Sequence, residues 1–147
     1  PGDKVSKVTA IVVHYVGNPG TTAEQNRSYF NNLAELKNAY ASSHYVVGLQ
    51  GEIIQCVPLD EIAYASNNRN YDTISIECCH QDAEGRFTDD TYNSLVRLVA
   101  ALCRTYGLNP ETDVIRHYDV TGKLCPIYYV NNPDEWYAFK LSVKNEM

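Results

Sequence analysis

From Val8 to Val16 the chain reads VTAIVVHYV, dense in β-branched residues, and then breaks into Gly17, Asn18, Pro19 and Gly20. An apolar run bounded by turn formers predicts a strand, central rather than at an edge, followed by a loop. Thr21 or Thr22 is placed to cap a helix through Phe30, Leu33, Ala34 and Leu36. SHYVVGL (Ser43 to Leu49), a turn at Gln50-Gly51 and EIIQCV (Glu52 to Val57) predict a β-hairpin. TISIECC, Thr73 to Cys79, reads as another strand. The strongest helical period follows Thr88-Asp89-Asp90: Tyr92, Leu95, Val96, Val99, Cys103 and Tyr106 share one face, and Gly107 stops the helix. VIRHY (Val114 to Tyr118) fits a short strand, and Pro133 opens a last helix through Trp136, Phe139, Leu141 and Val143. Strands alternate with helices around one hairpin. The expectation is an α/β fold, a central mixed β-sheet flanked by helices, with the strand order left open.

Composition sets limits on this picture. The 147 residues fit one domain with a core that needs no disulfide support. No apolar run approaches the roughly 20 residues that cross a bilayer, which argues against membrane insertion. PGDKVSKVTA lacks the charged-then-apolar pattern of a signal peptide, while a start at Pro fits a leader or neighbouring domain having been removed. A net charge of −6 argues against nucleic acid and against electrostatic adhesion to an anionic surface. Five cysteines (Cys56, Cys78, Cys79, Cys103, Cys125) are an odd number without regular spacing, so they do not read as a disulfide framework.

Chemistry concentrates in RHYDVTGKLCP, Arg116 to Pro126. A catalytic zinc takes three protein ligands from His, Cys and Asp/Glu and keeps a fourth position open. His117 and Cys125, eight apart across a loop containing Gly122, can face one ion; alone they equally describe a loop histidine and a buried thiol. For a third ligand His14, His44 and His80 compete, all at strand ends, and spacing does not choose among them. Lys123 is by default a solvated lysine, but beside a polarised carbonyl it can oppose negative charge. Glu77 interrupts the apolar run ISIECC; strand alternation sets it with Ser75, opposite Ile74 and Ile76, facing either solvent or a cleft.

Together these segments resemble the zinc-dependent N-acetylmuramoyl-L-alanine amidases, which include phage endolysins, recycling amidases of the AmpD type and peptidoglycan recognition proteins. IVVHYVG, SSHYVVGLQGEIIQCVP, TISIECC and RHYDVTGKLCP occur in family order along nearly the whole chain. The resemblance implies His14, His117 and Cys125 as ligands of Zn2+, Glu77 as the base that activates water, and Lys123 as the transition-state cation. It places His44 in a strand that lines the cleft without binding metal, and gives His80 no role. Two departures stand out: IAYASNN, with Tyr64, where relatives carry a Trp-His or Ala-His pair, and Ser75 where they often carry Gly. Both touch the expected stem-peptide specificity. Some of the twelve tyrosines are expected in a glycan groove and most in packing.

The implied activity is hydrolysis of the bond between N-acetylmuramic acid and L-alanine in bacterial peptidoglycan, its glycan strand and stem peptide being the partner. A monomer is expected, acting on the cell wall as a secreted enzyme or a phage lysin released from the cytoplasm. Residues 1–147 then form one catalytic domain with no wall-binding domain in this chain. The rival readings are a recognition module that binds peptidoglycan without cleaving it, a structural zinc domain, and a zinc amide hydrolase of other specificity. The first typically lacks the cysteine ligand, and the second needs a fourth ligand that is not apparent.

Overall fold

A computed structural model describes residues 3–36 and 41–147. Five strands, β1 (Ala10–Tyr15), β2 (Tyr45–Val47), β3 (Ile53–Gln55), β4 (Thr73–Cys78) and β5 (Val114–Arg116), form one sheet in the order β3-β2-β4-β1-β5. β4 and β5 run parallel to β1 on either side of it, β2 runs parallel to β4, and β3 closes the antiparallel hairpin with β2. The sheet is therefore mixed, as expected, and β1 is interior.

Helix α1 (Ala23–Leu36) begins with a reciprocal cap. Thr22 Oγ1 accepts the Gln25 backbone N–H at 3.1 Å, and Gln25 Oε1 accepts the Thr22 N–H at 2.8 Å. The side chains of Leu33, Ala34 and Leu36 lie outside the described residues. Helix α2 (Asp89–Tyr106) is capped by Thr88, whose side chain accepts the Thr91 N–H, and ends at Gly107 in the left-handed region at φ 66°. Leu95, Val96, Val99 and Cys103 on its predicted face are buried. They pack with Ile11, Val13, Ile74, Ile76 and Cys78 of the sheet and with Trp136, Phe139 and Val143 of the last helix. A smaller cluster of Ala23, Val46 and Cys79, joined by Phe30, holds α1 against the other side of the sheet.

The segment after β5 departs from expectation. VIRHY is a strand only to Arg116, because Asp119 Oδ2 accepts the Arg116 N–H at 2.9 Å and the chain turns at once into a short helix beginning at His117. Three short helices escaped the sequence reading: α3 (Pro110–Asp113), α4 (His117–Thr121) and α5 (Ile127–Asn131). So did a 3-10 turn over Asn67–Asp72. The last helix, α6 (Pro133–Glu146), opens at Pro133 as predicted, but Leu141 is 57% exposed. Two residues from both Phe139 and Val143, it lies about 200° around the helix from each. Among the described residues, no helix is long and apolar enough to cross a membrane.

Candidate metal centre and acid–base pocket

Register decides what meets at the C-terminal end of β1. His14 is the direct partner of Glu77 on β4, and Val12 of Ser75. In-register residues of neighbouring strands project to one face, so the imidazole and the carboxylate rise side by side, away from the isoleucine face. The chain brings its other two candidates in from β5. His117 is the first residue of α4, and Gly122, in the left-handed region at φ 84°, ends that helix and starts the return to Cys125. The Tyr118 N–H donates to the Cys125 carbonyl at 3.0 Å and closes the loop. The Arg116 guanidinium anchors it from outside: it pairs with Asp119, donates to the Tyr129 carbonyl, and lies over the Tyr118 and Trp136 rings at 5.2 and 5.7 Å. Cys125-Pro126 is a cis peptide.

These elements place one donor atom each from His14, His117 and Cys125 within 4.8 Å of one another, all three residues being buried. Cys125 Sγ lies 3.7 Å from His14 Nδ1, and the two imidazoles meet edge-on with centroids 4.8 Å apart. Nε2 of each ring is engaged elsewhere: His14 Nε2 with Ser66 Oγ at 3.1 Å, His117 Nε2 with Asn67 Oδ1 at 2.8 Å. Among the described residues no other group of three His, Cys, Asp or Glu side chains is so placed. Two imidazoles and a thiol suit a borderline-soft divalent ion such as zinc, and three protein donors leave a coordination position open.

The electrostatics fit the same use. Burial, then the charges of His117 and Lys123, hold the His14 pKa well below its ordinary 6.5, and burial followed by Lys123 lowers that of His117. Both rings are thus neutral, the state that ligates metal. Burial, reinforced by Glu77, pushes the Cys125 thiol up to about 12. Burial also raises Glu77 to about 8, against the opposing pull of Lys123. Glu77 Oε2 is sealed from solvent and has no hydrogen-bond partner. A buried orphan oxygen is costly and rare, so it marks a group kept for something other than stability.

A cavity of about 470 Å³ opens over these groups, lined by His14, Glu77, His117, Lys123 and Cys125 together with Tyr64 and others. All five residues singled out as catalytic or ligating border it. The two competing histidines do not. His44 is fully buried: its Nδ1 accepts the Ser75 N–H at 3.0 Å, and its Nε2–H donates to the Glu61 carbonyl at 2.7 Å. It is a bracket inside the fold, and its ring does not border the cavity. His80 accepts the Gly17 N–H at Nε2 and meets the Asp82 carbonyl through Nδ1, tying together the loops after β1 and β4. Ser75 is also fully buried, beneath His14, so its replacement of Gly does not face a substrate. The sequence reading missed Ser66 and Asn67; their one local sign is the turn-forming run Ser66-Asn67-Asn68.

Residues 4–127 match the family model for N-acetylmuramoyl-L-alanine amidase. The amidase BlyA of Bacillus subtilis (strain 168) is 35% identical, the alignment covering 100% of this chain and 44% of that protein. The chain spans less than half the length of the curated relatives it matches. Among solved structures, PlyL superimposes with a TM-score of 0.83 at 27% identity, covering 99% of this chain and 88% of that one. The catalytic domain of XlyA gives 0.79 at 26%, covering 97% and 90%.

Proposed function

Because the chain belongs to the N-acetylmuramoyl-L-alanine amidase family, we propose that it hydrolyses the amide joining the lactyl group of N-acetylmuramic acid to L-alanine in bacterial peptidoglycan. His14, His117 and Cys125 would hold a zinc ion, with Glu77 as acid–base and Lys123 as the opposing cation. The observation that carries this reading is the convergence of two neutral imidazoles, one thiol and a half-buried carboxylate with one orphan oxygen on one open cavity. When bound, zinc would supply positive charge that acidifies water, polarises a carbonyl and favours the ionised form of Glu77.

The Glu77 carboxylate takes a proton from the attacking water, whose oxygen adds to the lactyl carbonyl carbon. The Lys123 ammonium opposes the charge that gathers on the carbonyl oxygen. As the C–N bond breaks, Glu77 returns the proton to the departing amine. The products are a lactyl carboxylate on the sugar and a free amino terminus on L-alanine. Glu77 suits both halves because its carboxylate borders the same cavity as the three donors, beside the His14 ligand. The partner is the wall polymer, glycan strand plus stem peptide, met at the cell wall by a monomer whose residues 1–147 act as one catalytic domain. Tyr64, which relatives replace with another pair, borders the cavity and is positioned to contact the stem.

Incubating zinc-loaded protein with muropeptides tests the reading. New L-alanine amino termini are expected. Retention of intact muropeptide by a protein that binds it would favour a recognition module instead.

A further inference from the structure

A short segment outside the three donors engages both histidine rings. Ser66 and Asn67 stand at the entry to the 3-10 turn, where Asn70 Oδ1 accepts the N–H groups of Ala65 and Ser66 at 3.2 and 2.7 Å. Asn67 has φ 54°, a left-handed backbone that few residues other than Gly adopt. From this locked turn Asn67 Oδ1 reaches to 2.8 Å from His117 Nε2, while Ser66 Oγ lies 3.1 Å from His14 Nε2. Ser66 is fully buried, and its hydroxyl is in turn 2.9 Å from that of Ser75.

The two contacts differ in what they dictate. A carboxamide oxygen only accepts, so the His117 ring proton must sit on Nε2, and Nδ1 is left as the nitrogen able to bind a metal. A hydroxyl can donate or accept, so Ser66 tolerates either tautomer of His14 and restrains chiefly the plane of its ring. A hydrogen bond at one imidazole nitrogen sets which nitrogen is metallated and where it points.

We infer that Asn67 is a positioning residue whose side-chain oxygen holds His117 as the Nε2–H tautomer, with Nδ1 as the ligating nitrogen. Ser66, backed by Ser75, orients His14 from the same turn. The inference rests on the zinc reading of the site for its purpose, and on the observed contacts for its content.

Asn67→Gly tests it without straining the backbone, since Gly takes a positive φ freely. Asn67→Asp keeps an acceptor oxygen in place. Two readouts apply: nitrogen NMR of the His117 tautomer in metal-free protein at pH 8, and zinc dissociation constants from chelator competition. Wild type should show Nε2–H. N67G should show mixed tautomers and bind zinc roughly 10–100-fold more weakly, with its thermal unfolding retained. N67D should keep the wild-type tautomer and bind zinc at least as tightly as wild type. An Nδ1–H tautomer in wild type, undiminished zinc binding by N67G, or weak binding by N67D would each overturn the inference. Absence of zinc binding by wild type would instead sink the metal reading, and the tautomer measurement would still decide the role of Asn67.

Discussion

On β1 and β4, Ile11, Val13, Ile74 and Ile76 point into a core covered by α2 and α6, while their immediate neighbours His14, Ser75 and Glu77 point to the opposite face. The isoleucine side is fully buried and consists of hydrocarbon, each such side chain contributing roughly 1.5–3 kcal/mol on removal from water. The histidine side is buried nearly as deeply, yet it holds a carboxylate oxygen without a partner and two imidazoles held neutral. One face lowers the free energy of the fold; the other raises it and keeps reactive groups poised. Substitutions one residue apart should therefore act on different observables.

Glu77→Ala should produce the largest effect on turnover. Loss of roughly 10²–10⁴-fold in kcat is expected, with zinc content and fold intact. Unchanged turnover in that variant would remove Glu77 from the chemistry. Its neighbour Ile76→Ala should do the reverse. About 2–5 kcal/mol of stability should vanish in denaturant titration, while the folded fraction keeps its kcat and its metal. Equal damage to kcat from both variants would mean that the two faces are not separable.

The same comparison predicts a pH signature in metal-free protein. An unfolded chain releases the Glu77 proton near 4.5, and the folded one holds it to about 8. Between those values the folded state binds more protons, so this group makes stability fall as pH rises, levelling off above about 8. Glu77→Gln removes the slope. Relative to the variant, wild type should lose on the order of 4 kcal/mol between pH 5 and 9. Parallel unfolding curves across that range would show that the carboxylate is better solvated than its position implies. The smallest stability change belongs to Lys123→Ala: within about 0.5 kcal/mol for an exposed residue, despite a loss of about 10²-fold in kcat.

The apolar face was the more legible one. The β-branched run of β1 and the helical period of α2 are long enough to carry a repeat, and the caps at Thr22, Thr88 and Gly107 fall where side-chain chemistry marks them. Helices of four or five residues, such as α3 to α5, span little more than one turn and leave no period to read. On the polar face, alternation separated Glu77 from the isoleucines, but only the pairing of His14 with Glu77 turns that into a shared cavity. The choice of His14 over His44 and His80 came from family resemblance. Its physical basis is that the rings of the other two meet backbone groups far away in sequence, Ser75 and Glu61 for His44, Gly17 for His80. No local pattern encodes those contacts.

Cys125→Ser separates holding the ion from using it: zinc affinity should collapse first, and activity with it, whereas Glu77→Ala loses activity alone. X-ray absorption at the zinc edge of the loaded protein probes the arrangement itself. One sulfur at roughly 2.3 Å, two imidazole nitrogens at roughly 2.0–2.1 Å and one further light atom are expected, with the sulfur shell gone in the serine variant. A shell closed by four protein ligands, or a sulfur signal untouched by that substitution, would contradict an open centre built on positions 14, 117 and 125.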